Sequence, residues 1–142
     1  MKNAFRYSIS LRVTHPRWSV DQIVAAFELT PKYSWAVGDS RVAPSGKPLG
    51  GTRKDSYCLF EVERGEDGEV ARSLGNAVDL LMPRKANLLA LRASGGTISF
   101  YVFWQAEGDT GEVMNLTLLA NMVELGIELD LNVIELSDVV SN

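Results

Sequence analysis

The chain has 142 residues, 46% of them apolar and 23% charged, the size and make-up of one globular domain (residues 1–142) that buries a core without staples. A net charge of −4 argues against a nucleic-acid backbone or an anionic membrane as the main partner, and no apolar run reaches the roughly 18 residues that span a bilayer. One cysteine and one histidine exclude an intrachain disulfide and a cysteine-based zinc cage, so neither a metal nor another cofactor is expected.

Phe5, Tyr7, Ile9, Leu11 and Val13 alternate with Arg6, Ser8, Ser10 and Arg12, a half-buried strand that His15-Pro16 stops. This N-terminus has no continuous apolar block of the signal-peptide kind, so a cytoplasmic location is expected. Ser19 and Gln22 form a capping box for a helix that buries Val20, Ile23, Val24 and Phe27 and ends at Pro31. A short strand from Tyr33 to Val37 leads into a glycine-rich loop, Gly38 to Asp55. Ser56 to Glu63 is a third strand, with Cys58, Phe60 and Val62 on one side and Tyr57, Leu59 and Glu61 on the other.

A turn at residues 64–68 feeds a helix with an apolar stripe of Val70, Leu74, Ala77, Val78 and Leu81. Pro83 breaks it and suits the first turn of a short helix carrying Leu88, Leu89 and Leu91. Gly96 to Gln105 follows, apolar on both sides: Ile98, Phe100, Val102 and Trp104 on one, Tyr101 and Phe103 on the other. Such a strand belongs inside a sheet. Asn115 caps a helix bearing Leu118, Leu119, Met122 and Val123, and Gly126 closes it. Ile127, Leu129, Leu131 and Val133 alternate with Glu128, Asp130 and Asn132 in the last strand, and the residues from Ser137 are expected to fray.

The order predicts an α+β fold, a ferredoxin-like βαββαβ unit with an appended αβ. Right-handed crossovers place the fourth strand between the first and the fifth in a mostly antiparallel five-stranded sheet, with all helices on one face. The other face then carries Arg6 and Arg12, Tyr57, Leu59 and Glu61, Tyr101 and Phe103, and Glu128 and Asp130. Aromatics within a charged rim have the anatomy of a protein contact patch, and equally of a partly wet sheet whose aromatics pair across strands.

Leu29-Thr-Pro31, Gly38-Asp39 following Trp35, and the ending Leu125-Gly-Ile-Glu-Leu-Asp-Leu resemble an uncharacterised bacterial family, domain of unknown function 4279, over nearly the whole chain. Tyr57 departs from it, standing where a tryptophan is expected. The resemblance implies no activity and no catalytic residues. It implies a small cytosolic bacterial protein and, by analogy, a protein-binding or toxin-neutralising partner.

Signs of catalysis are sparse. His15 lacks an obvious orienting carboxylate and reads as a surface or turn histidine; Cys58 reads as a small buried hydrophobe. Asp109-Thr110-Gly111 sits among glutamates and glycine, the setting of an exposed turn and not of a carboxylate dyad. Gly46-Lys47 lacks the rest of a P-loop. The loop from Gly38 to Asp55 sets Arg41, Lys47, Arg53 and Lys54 against Asp39 and Asp55, a basic segment that could hold an anion or could be an ordinary exposed connection. Glu61, Glu63, Glu66, Asp67 and Glu69 read as a solvated turn or as an acidic docking strip. The first and third strands lack the aromatic, basic consensus of RNA-recognition modules.

The expected function is non-enzymatic protein binding through the open face. The partner is a toxin, as for an immunity protein, or a second copy in a homodimer. The alternative is a regulatory domain that holds an anionic metabolite through Asp39, Arg41, Arg53 and Lys54.

Overall fold

The structure, a computed structural model, describes residues 4–136, so the fraying expected from Ser137 lies outside the described residues. The elements are β1 (Arg6–His15), α1 (Val20–Phe27), β2 (Tyr33–Trp35), β3 (Ser40–Val42), β4 (Pro48–Thr52), β5 (Ser56–Gly65), α2 (Val70–Leu81), a 3-10 turn at Met82–Arg84, α3 (Lys85–Ala93), β6 (Thr97–Ala106), α4 (Leu116–Leu125) and β7 (Glu128–Glu135).

The fold is α+β around a mixed five-stranded sheet of order β2-β5-β1-β6-β7. β1 runs antiparallel to β5 and β6, and β2 antiparallel to β5. β7 runs parallel to β6, as a strand reached through a helical crossover must. The aromatic ribbon β6 thus lies between β1 and β7, where its two-sided apolarity needs neighbours.

Alternate residues of β1 and β6, from Tyr7 to His15 and from Ile98 to Ala106, are buried. They share one core with Phe60 of β5 and with Ile23, Leu74, Leu88 and Leu118 of the four helices. The intervening residues, Ser8 to Thr14 and Ser99 to Gln105, keep intermediate exposure. One face of the sheet is therefore roofed by helices and the other is open.

Capping follows local chemistry. Ser19 Oγ accepts from the Gln22 amide, and Gln22 Oε1 accepts from the Ser19 amide. The helix stops before Pro31, at Glu28, a left-handed residue whose N–H bonds to Val24 O. Asn115 Oδ1 accepts from Leu118 N–H, and Gly126 closes α4 at φ 72°.

Two expectations need correction. The segment from Gly38 to Asp55 is not a plain loop: β3 and β4 pair as a small separate hairpin. Both strands are exposed throughout, so no buried face imprints an apolar alternation on their residues. In addition, Leu119, Val123, Leu131 and Val133 do not join the core; all are exposed. They lie on α4, the last helix among the described residues, and on β7, the strand at the end of the sheet.

Candidate functional site

Strand register assembles most of the open face anticipated from the sequence. Tyr57 stands beside Trp35 and Thr14, Leu59 beside Arg12, Tyr101 beside Ser10 and Asp130, and Phe103 beside Ser8 and Asn132. The Arg12 guanidinium carbon lies 3.7 Å from the Tyr101 ring centre, and Asn132 Nδ2 donates to the Tyr101 hydroxyl at 2.7 Å. Tyr57 stacks on Trp35 at 4.4 Å, and the Arg53 guanidinium lies 3.9 Å from the Trp35 ring. Burial raises the Tyr57 phenol above its usual pKa, against the opposing charge of Arg12. A band of rings and cations thus crosses the sheet from the hairpin to β7.

The charged rim is less uniform. Arg6 sits at a corner, 3.4 Å from Glu66. Glu61 lies between Lys32 at 2.7 Å and Arg64 at 3.3 Å, and Lys32 holds its carboxyl below the usual range. It borders an open hollow of about 330 Å³ with Tyr33, Leu59 and Arg64, where a bulge interrupts the pairing of β1 with β5. Glu128 lies beside Ser99 in register, yet its carboxylate is 3.6 Å from Arg92 of α3, in the helix layer. Four of the five carboxylates between residues 61 and 69 are engaged: Arg72 holds Asp67 and Glu69, while Glu66 and Glu61 have the partners just named. The acidic stretch is thereby largely neutralised from within.

Beside the hairpin lies a second hollow of about 530 Å³, lined by Trp35, Arg41, Arg53, Lys54, Asp55 and Tyr57 among others. It brings together three of the four residues expected to hold an anion. Asp39 is not among its walls; its Oδ2 accepts from Ala36 N–H at 2.9 Å and fixes the turn into β3. Arg53 is held by Trp35 and by a hydrogen bond from Nη2 to Val42 O at 3.1 Å, so it also ties the hairpin to the sheet.

His15 is not a surface histidine. It is fully buried, with Nδ1 accepting from the amides of Arg17 (3.0 Å) and Trp18 (2.9 Å), which places the ring proton on Nε2, 2.8 Å from Ser94 Oγ. Burial first and the Arg17 charge second lower its pKa, so it is a neutral structural latch. Cys58 is buried, and burial pushes its thiol up to about 11, away from nucleophile chemistry. Among the described residues, no three or more His, Cys, Asp or Glu side chains cluster so as to hold a metal ion.

Sequence reasoning missed Trp35 and Asn132, which extend the aromatic band at either end. It also missed a second surface. Val113, Leu116 and Val123, before and along α4, are 72%, 85% and 79% exposed, and Leu131 and Val133 of the last strand are exposed as well. A signal was available: from Ala93 to Asn142 the chain has eight Asp and Glu and no Lys, Arg or His, so all 14 of its Lys and Arg precede that point. No helix among the described residues is long and apolar enough to cross a membrane.

The family model described as a domain of unknown function (DUF4279) matches residues 5–135. No curated protein and no solved structure matches the chain.

Proposed function

We propose a function from the surface itself, because the chain belongs to the DUF4279 family and that family's description carries no activity: it is a non-enzymatic protein-binding module that captures a partner on the open face of its sheet. The observation that carries this reading is the band from Trp35 and Tyr57 through Arg12 to Tyr101, laid across four strands on the side opposite the helices. Aromatic and arginine side chains supply most of the binding energy at protein contacts, and here they are already ordered by one another. An immunity-type pairing with a toxin in the bacterial cytoplasm is the specific form that the family resemblance suggests. The strand order supports reading the fold as ferredoxin-like with an appended αβ.

Tyr101→Asp and Phe103→Asp are expected to abolish partner capture from the native host, as judged by affinity purification, while circular dichroism stays native. Both positions are half-exposed, so a carboxylate there remains hydrated. If either variant retains the partners of the wild type, the open face is not the contact.

A second reading rests on the hollow beside the hairpin, whose Arg41, Arg53 and Lys54 outweigh Asp55. There the protein holds an anionic metabolite. Inorganic phosphate should raise the melting temperature of the wild type, and Arg41→Ala should remove that rise without lowering the ligand-free value, since Arg41 is exposed. No rise in the wild type, or an undiminished one in Arg41→Ala, rejects this reading.

A further inference from the structure

We propose that the outer edge of β7 accepts a basic, strand-forming segment of another protein as a sixth strand of the sheet. The sheet ends at β7, and among the described residues no strand pairs with its outer side. It is an eight-residue edge, against three residues for β2 at the opposite end, and it contains neither lysine nor proline, two residues that commonly blunt an exposed edge.

The two faces of β7 specify what such a segment looks like. Leu131 and Val133 lie beside Val102 and Trp104 on the helix side of the sheet, yet they are 48% and 57% exposed. α4 belongs to the same side. Its Thr117 and Asn121 line the groove toward α2, so at 100° per residue Leu116 and Val123 stand away from that groove and from the buried stripe of Leu118, Met122 and Leu125, open to solvent. On the open side, β7 presents Asp130 and Asn132, with Ile134 after them. A strand laid along β7 therefore meets aliphatic groups on one side and carboxylate on the other. The matching segment alternates aliphatic residues with lysine or arginine.

Charge argues against a second copy in this position. β7 carries no basic side chain of its own, and the Arg92 that reaches Glu128 is thereby engaged, so two such edges bring their Asp130 carboxylates toward one another with no cation of β7 between them. A cationic segment removes that cost.

The proposal deepens the protein-binding reading and shares Asp130 and Asn132 with its open face, but it uses the backbone edge and the helix-side aliphatics of β7, so the two can fail separately. The test titrates isotope-labelled protein with a capped nonapeptide of alternating valine and lysine, and with its valine–glutamate counterpart, following backbone amide resonances. The lysine peptide should move the amides of residues 128–135. It should bind at least about tenfold tighter than the glutamate peptide and lose affinity as salt rises from about 50 to about 500 mM. Asp130→Lys should weaken it by about tenfold, as charge reversal at a contact does. Tyr57→Asp, three strands away on β5, should leave it unchanged. The proposal is overturned if the two peptides bind alike, if the shifts fall elsewhere, or if the wild-type protein dimerises through β7 in solution.

Discussion

His15→Ala should destabilise the fold by about 3 kcal/mol, one of the larger single-residue losses outside the apolar core. The substitution removes the acceptor of two amides, Arg17 N–H and Trp18 N–H, and the partner of Ser94 Oγ. It also empties a fully buried site against the Trp18 ring, whose centre lies 4.8 Å from that of the imidazole. No small replacement can fill the space, and the neighbouring Gly96 is there because a β-carbon at that position would meet Leu91 Cδ2 at 2.3 Å and His15 Cδ2 at 2.8 Å. Chemical denaturation of both proteins measures the loss directly. A difference below about 1 kcal/mol would show that the latch does not hold the β1–α1 junction.

The same side chain sets a pH dependence. Its folded pKa is lowered, by burial and then by the Arg17 charge, with Asp55 opposing, whereas the unfolded value is about 6.5. Below about 6.5 the unfolded chain therefore binds a proton that the folded chain refuses, and stability falls as the pH drops. Carboxylates held low in the fold, Glu61 by Lys32 and Asp67 by the Glu69 amide, contribute in a separate window, below their unfolded values near 4. A stability profile should thus lose its slope just below about pH 6.5 in His15→Ala and keep its slope below about pH 4.5.

Strands with one buried face were legible because burial writes an alternation into them. Tyr7 to Val13 and Ile98 to Trp104 show it, and the capping residues Ser19, Asn115 and Gly126 mark helix ends through contacts made within a few residues. The strand order followed from crossover handedness. What stayed hidden depends on who the neighbour is. The partners of His15 include Ser94, 79 positions away, and nothing local announces that bond. Leu131 and Val133 continue the alternation of Ile127 and Leu129, yet periodicity records which side a residue points to and not whether anything lies there. Hairpin β3–β4 lacks even that signal, being exposed on both faces.

Phe100→Ala should cost about 4 kcal/mol and Phe103→Ala no more than about 1 kcal/mol, although the two rings lie three residues apart on one strand. Phe100 is fully buried, set between Leu11 and Leu129 in register on the side the helices cover. Its removal loses transfer energy and leaves a cavity in a core shared by every helix. Phe103 is half-exposed on the other side, between Ser8 and Asn132, where truncation loses only cross-strand contact. For a chain of this length the difference corresponds to a gap of about 10 °C in melting temperature. The comparison holds residue type, strand and backbone conformation fixed, so it isolates the asymmetry of the sheet. Equal losses would mean that something covers the front as thoroughly as the helices cover the rear, and the Tyr101 band would then be core and not a contact surface.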